Sequence, residues 1–117
     1  MTPAQRLLLA QCEPLTRRGY RVVPEHRFSP PRRWRIDVAI LDGPTLHATA
    51  GVTPVLAVEI QGGVYIAGRH SRGAAMEKEY EKLAALAAHG YRLICATPRQ
   101  VQDGTCWQWI QAALEDR

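Results

Sequence analysis

The sequence predicts an α/β domain in the order αβββαβα, with a mixed central sheet flanked by helices. Three observations carry that expectation. Short runs rich in Val, Ile and aromatic residues recur at 20–28, 33–41, 55–60 and 91–96, each of strand length. Two longer stretches, at 3–18 and 73–89, repeat apolar residues at helical spacing. Within the third run, Val55-Leu56-Ala57-Val58 is apolar on both faces, the mark of a strand at the centre of its sheet. At 117 residues the whole chain, 1–117, reads as one domain.

Each element has its own signals. Thr2-Pro3 supplies a helix N-cap and first-turn proline, Leu7, Leu8, Cys12 and Leu15 form the apolar stripe, Pro14 kinks or shortens the helix, and Gly19 stops it. A first strand starts at Tyr20-Arg21-Val22-Val23, is broken by Pro24 and resumes over 25–28; Ser29-Pro30-Pro31 is a turn. The second strand covers 33–41, with Trp34, Ile36, Val38 and Ile40 on one face and Arg35, Asp37 and Ala39 on the other. Residues 44–54 form a loop and 55–60 the third strand, closed by Gly62-Gly63. Ser71 caps a helix over 73–89 whose stripe is Met76, Tyr80, Leu83 and Ala87, and Gly90 ends it. A fourth strand over 91–96 makes a parallel crossover unit with the third. Thr97-Pro98 turns into a last helix over 107–114 that packs Trp107, Ile110 and Leu114 inward.

Composition narrows the function. The charge of +4 leans basic, which suits a polyanionic partner. The arginines bunch at Arg17, Arg18 and Arg21, at Arg27, Arg32, Arg33 and Arg35, and at Arg69 and Arg72; several cations along one path are what phosphate tracking needs. Cys12, Cys95 and Cys106 are odd in number and lack CxxC spacing, so a disulfide scaffold or zinc site is not expected, Cys95 reads as a small buried hydrophobe, and a cytoplasmic setting fits. No run approaches the length of a membrane span.

The chemistry sits in two acids within apolar strands, Asp37 in Arg35-Ile36-Asp37 and Glu59 in Val58-Glu59-Ile60-Gln61-Gly62-Gly63. A carboxylate there is costly unless it is paired or holds a cation. Two such acids on neighbouring strands make an oxygen-rich pocket of the kind a hard metal ion takes. The bland alternative is that Asp37 caps a strand end or pairs with Arg35, and that Glu59 answers Arg92 on a neighbouring strand.

In this order, with acids on the second and third strands, the chain resembles the PD-(D/E)XK nuclease superfamily, whose pattern is an aspartate on one strand and D/E-x-K on the next. Asp37 and Glu59-Ile60-Gln61 match it, and the likeness extends through Gly62-Gly63, Gly68-Arg69-His70, Glu79-x-x-Lys82 and Gly90-Tyr91-Arg92-Leu93. It is similar to small phage and bacterial endonucleases of the Holliday-junction-resolvase and very-short-patch-repair-like groups. The resemblance implies a restriction-endonuclease-like core and Mg²⁺-dependent hydrolysis of DNA phosphodiesters, with Mn²⁺ as a substitute ion. It places the ion on Asp37, Glu59 and the Ile60 backbone carbonyl, with Glu25 as a further metal-proximal acid.

Gln61 stands where the family most often carries lysine. Lys82 is the local residue able to restore that charge, at the edge of its helix's apolar stripe, although a solvated helix flank is its ordinary reading. His70 contacts the scissile phosphate or assists proton transfer, or is a plain loop residue. Arg27, Arg32, Arg33, Arg35, Arg69 and Arg72 are the expected DNA contacts. The leading expectation is a structure-specific endonuclease on branched DNA, working as a homodimer because junction resolution needs two coordinated nicks. The alternatives are a nicking or repair endonuclease on mismatched or flapped DNA, and a catalytically silent DNA-binding relative. Trp34, Trp107 and Trp109 are read as core or dimer-contact residues rather than base-stacking platforms.

Overall fold

The computed structural model describes residues 1–43, 51–61 and 72–116. The elements are helix α1 (Pro3–Thr16), strands β1 (Tyr20–Arg27), β2 (Arg35–Asp42) and β3 (Thr53–Ile60), helix α2 (Arg72–Ala88), strand β4 (Arg92–Ala96), and helices α3 (Pro98–Gln102) and α4 (Thr105–Glu115). The sheet order is β1-β2-β3-β4. β2 is antiparallel to both β1 and β3, whereas β4 runs parallel to β3 after the α2 crossover. This is an α/β arrangement with a four-stranded mixed sheet and helices flanking it.

α1 starts on a reciprocal capping box: the Gln5 N–H donates to Thr2 Oγ1, and the Thr2 N–H donates to Gln5 Oε1. Pro14 does not end the helix, which runs on to Thr16 before Gly19 turns at φ +90°. Its buried stripe is Ala4, Leu8, Cys12 and Leu15; Leu7 is 38% exposed, one helical step off that stripe. β1 passes through Pro24 without a break. An edge strand tolerates a residue with no N–H, because the outer side of the strand has no ladder partner to lose. β3 begins two residues before the expected 55, and Pro54 sits where the β2–β3 register shifts between Ile40 and Leu41. α3 replaces the expected plain turn: Thr97 and Gln100 repeat the capping box of Thr2 and Gln5.

The two faces of the sheet are packed differently. On one, Val38, Ile40, Leu56 and Val58 meet Leu8 of α1 and Ile110 of α4 in an apolar core that also takes in Cys12 and Cys106. On the other, Ala39, Leu41 and Ala57 meet Leu86 of α2, Tyr91 and Phe28. Alternation along β2 and β3 sends Asp37 and Glu59 to this second face, with Ala39 and Ala57. The β1–β2 connection reaches the same side: the Phe28 ring stacks with Trp34 and meets His89 and Tyr91 edge-on. Ile36, expected with Val38, joins that cluster instead.

Two side-chain expectations are corrected. Tyr80 is 56% exposed, and α2 buries Leu86 with Lys82 and Leu83 half-buried, so its inward stripe is rotated from the expected one. Cys95 is exposed on the outer strand β4, whereas Cys12 and Cys106 are buried. Of the tryptophans read as core or dimer contacts, Trp107 packs against the core and Trp109 is 41% exposed. Among the described residues no helix is long and apolar enough to cross a membrane.

Candidate functional site

The regular β2–β3 ladder ends with Val38 opposite Val58. One residue further out, side chains take over from main chain. The Ile60 N–H donates to Asp37 Oδ2 at 2.8 Å, and the Asp37 N–H donates to Glu59 Oε2 at 3.3 Å. Each acid is thus held by the backbone of the other's strand, and the two carboxylates are brought side by side. On its far side Glu59 lies in register with Cys95 of β4.

Glu59 is only 4% exposed. Its Oε1 accepts a hydrogen bond from Lys82 Nζ, and the Lys82 side chain is itself mostly buried. A lysine inside the inward stripe of α2 is what places an ammonium here, since Lys82 and Leu86 lie four residues apart on one helix face. Burial pushes the Glu59 carboxyl up to about 7; the Lys82 hydrogen bond and charge oppose that rise, and the Asp37 charge adds to it.

A third acid is tied in indirectly. Gln5 is 3% exposed, and its Nε2 donates both to Glu25 Oε1 at 2.8 Å and to the Asp37 carbonyl at 3.0 Å. Glu25 sits at φ +51°, uncommon for a residue with a side chain. Arg35 Nη1 stands 3.7 Å from Glu25 Oε2. Of the bland readings, the strand-end cap is present, since Asp37 accepts the Ile60 N–H where the ladder stops. The two pairings are not: Arg35 faces Glu25 rather than Asp37, and Arg92 Nη1 donates to the Ala113 carbonyl rather than meeting Glu59.

Gln61 continues the β3–β4 pairing through its N–H, which donates to the Ala96 carbonyl at 2.8 Å, just beyond the acids. Arg27, Arg32, Arg33 and Arg35 are all exposed at or near the β1–β2 connection. Arg32 lies 3.7 Å from Glu81 and stacks over the Trp34 ring at 4.4 Å. Arg69, His70, Gly62, Gly63 and the Ser71 cap lie outside the described residues, as does the side chain of Arg72.

No family model, curated protein or solved structure matches the chain. The chemistry open to the site therefore follows from its donor set. Among the described residues no three His, Cys, Asp or Glu side chains converge as a metal cluster. The two adjacent carboxylates nonetheless suit Mg²⁺, which keeps several waters and is usually held by one or two carboxylates. Asp37 and Glu59 are the two carboxylates that would hold such an ion. An open depression of about 380 Å³ lies elsewhere, along β4 and α4 beside Leu93, Cys95 and Trp109, and includes none of Glu25, Asp37 and Glu59.

Sequence reasoning missed Gln5. The Thr2-Pro3-Ala4-Gln5 start carries the capping-box spacing, which signals a helix-bound role for the glutamine. Nothing local signals that its amide also reaches two strands.

Proposed function

We propose that the chain is a Mg²⁺-dependent DNA endonuclease of the PD-(D/E)XK kind, with a restriction-endonuclease-like core, acting on branched DNA as a Holliday-junction resolvase does. The observation that carries this reading is the meeting of Asp37 and Glu59 with the Lys82 ammonium on Glu59. A buried glutamate beside a half-buried aspartate, with one lysine, would supply anchoring for a cation and a positive charge beside it. Both favour hydrolysis of a phosphodiester, because negative charge grows on the phosphate oxygens and on the departing oxygen.

Asp37 and Glu59 would hold the ion, with the Ile60 carbonyl. When bound, the ion lowers the pKa of a water and offsets charge on the phosphate. Lys82 holds positive charge beside the phosphate oxygens, the role that the neutral amide of Gln61 does not fill. Gln61 orients a water or donates to a phosphate oxygen. The arginines at the β1–β2 connection bind backbone phosphates, which position DNA without reading its sequence. Two coordinated nicks require two sites, hence a homodimer.

The test is nicking of a four-way junction against linear duplex, with Mg²⁺ or with EDTA. Cleavage of the junction that stops in EDTA is the expected result. Cleavage confined to mismatched or flapped DNA would move the reading to repair, and binding without any cleavage would leave a silent relative.

A further inference from the structure

Gln5 and Glu59 are the two buried polar side chains among the described residues. Glu59 belongs to the acid pair; Gln5 comes from a helix on the opposite face of the sheet, and a buried amide is costly unless each polar atom finds a partner. Every one does. Oε1 accepts from the Thr2 N–H at 3.3 Å, and the two hydrogens of Nε2 go to Glu25 Oε1 and to the Asp37 carbonyl. The same side chain therefore closes the start of α1, captures a carboxylate on β1 and grips the main chain of β2 at the residue whose carboxylate faces Glu59.

The second observation concerns Glu25. It lies opposite Asp37 in the β1–β2 register, between the pairs Pro24–Val38 and His26–Ile36, but at φ +51°. Such a conformation is strained for a residue with a side chain and persists where neighbours fix it. Gln5 on one oxygen and Arg35 near the other are those neighbours. The contacts of Glu25 run to Gln5 and Arg35, whereas Glu59 takes its hydrogen bonds from the Asp37 N–H and Lys82, beside the Asp37 carboxylate.

We propose that Gln5 is a positioning residue: its amide joins the Glu25 carboxylate to the Asp37 main chain, so that Glu25 fixes Asp37 for the ion rather than binding the ion itself. The metal half of this inference rests on the function proposed above; the clasp itself does not. Partners that orient ligands in this way contribute about 10- to 100-fold to metal affinity.

The Ile60 N–H, which donates to Asp37 Oδ2, is a reporter that needs neither metal nor DNA. Amide exchange at Ile60 is compared in the full-length chain for wild type, Gln5→Leu, Glu25→Gln and Glu25→Ala, alongside Mn²⁺ affinity by calorimetry. Glu25→Gln keeps an oxygen for the Gln5 amide, so Ile60 protection and Mn²⁺ affinity should stay within about threefold of wild type. Gln5→Leu and Glu25→Ala break the clasp, and each should speed Ile60 exchange and weaken Mn²⁺ by about tenfold or more. If Gln5→Leu does not fold, the contrast between Glu25→Gln and Glu25→Ala decides alone. Unchanged Ile60 exchange in the broken variants overturns the clasp, and loss of Mn²⁺ binding in Glu25→Gln makes Glu25 a ligand. Absence of Mn²⁺ binding in wild type would count against the nuclease reading, while the exchange comparison still decides the clasp.

Discussion

The two faces of the sheet solve different problems with the same strands. Toward α1 and α4, β2 and β3 present Val38, Ile40, Leu56 and Val58 to other apolar side chains, and even the thiols of Cys12 and Cys106 are buried with them. Burial pushes those thiols up to about 12 and about 11, far from reactive thiolates. Toward α2, the same two strands present small Ala39 and Ala57 and then, one step outward, Asp37 and Glu59. The helix that covers them contributes a lysine as well as a leucine. One face holds the fold together by apolar area; the other gives up apolar area to keep charge in place. A buried ion pair adds little net stability compared with an apolar pair of similar size, so stability alone does not account for its presence there.

The sharpest way to break this contrast is to remove charge from the second face. Asp37→Asn and Glu59→Gln should each lower Mg²⁺-dependent junction cleavage by ~10³-fold or more, beyond the loss of a single electrostatic partner. Circular dichroism and junction affinity should stay close to wild type, with affinity rising where a negative neighbour of the phosphate is removed. Cleavage at the wild-type rate by either variant would remove the carboxylates from the chemistry.

Damage to the first face should do the reverse. Ile110, fully buried in α4, lies in the apolar cluster, and Ile110→Ala should cost about 2–5 kcal/mol of folding stability in a urea titration. Cleavage per folded molecule should not change. A catalytic defect in the folded fraction would show that the two faces are coupled.

pH separates the faces more finely. The Glu59 carboxyl is raised from 4.5 to about 7, so between those values the folded chain binds more protons than the unfolded one. The stability this adds is full below the ordinary carboxylate range and is lost as pH rises toward 7, with a slope of at most about 1.4 kcal/mol per pH unit. Urea midpoints from pH 4 to 8 should show this decline in wild type, and Glu59→Gln should flatten it. Equal slopes in the two proteins would mean that Glu59 titrates normally.

The smallest expected effect is at the rim. Reversing Arg32 and Arg33 to glutamate should weaken binding to all DNA sequences alike. The slope of log affinity against log salt should fall by about one for each phosphate no longer neutralised. A defect restricted to one sequence, at unchanged salt slope, would indicate base readout instead.

The legibility of these two faces in the sequence was unequal. Helix starts at Thr2-Pro3, the strand core at 55–60 and the β3–α2–β4 unit follow from periodicity and caps, which are local. Pro24 misleads because tolerance of a proline depends on whether its strand is at an edge, a property of the sheet rather than of the strand. Cys95 misleads for the same reason: an apolar run on an outer strand leaves part of itself exposed. At the site, the acids and Lys82 are visible as residues out of place in apolar patterns. The rotation that carries Lys82 inward and leaves Tyr80 outside goes with the seating of Leu83 and Leu86 in the cluster of Ala39 and Ala57, and the Gln5 link spans 20 and 32 residues of chain. No local pattern encodes either.

The central claim is that Lys82 provides on the α2 face the charge that Gln61 lacks on β3. Single-turnover cleavage of a four-way junction by Lys82→Ala and Gln61→Ala, at saturating Mg²⁺, tests it most directly. Lys82→Ala should slow the step by ~10²-fold or more with little change in DNA affinity, because the interaction strengthens as charge develops on the phosphate. Gln61→Lys should restore part of the rate when combined with Lys82→Ala. Normal cleavage by Lys82→Ala beside a dead Gln61→Ala would contradict the account and place the work on the glutamine.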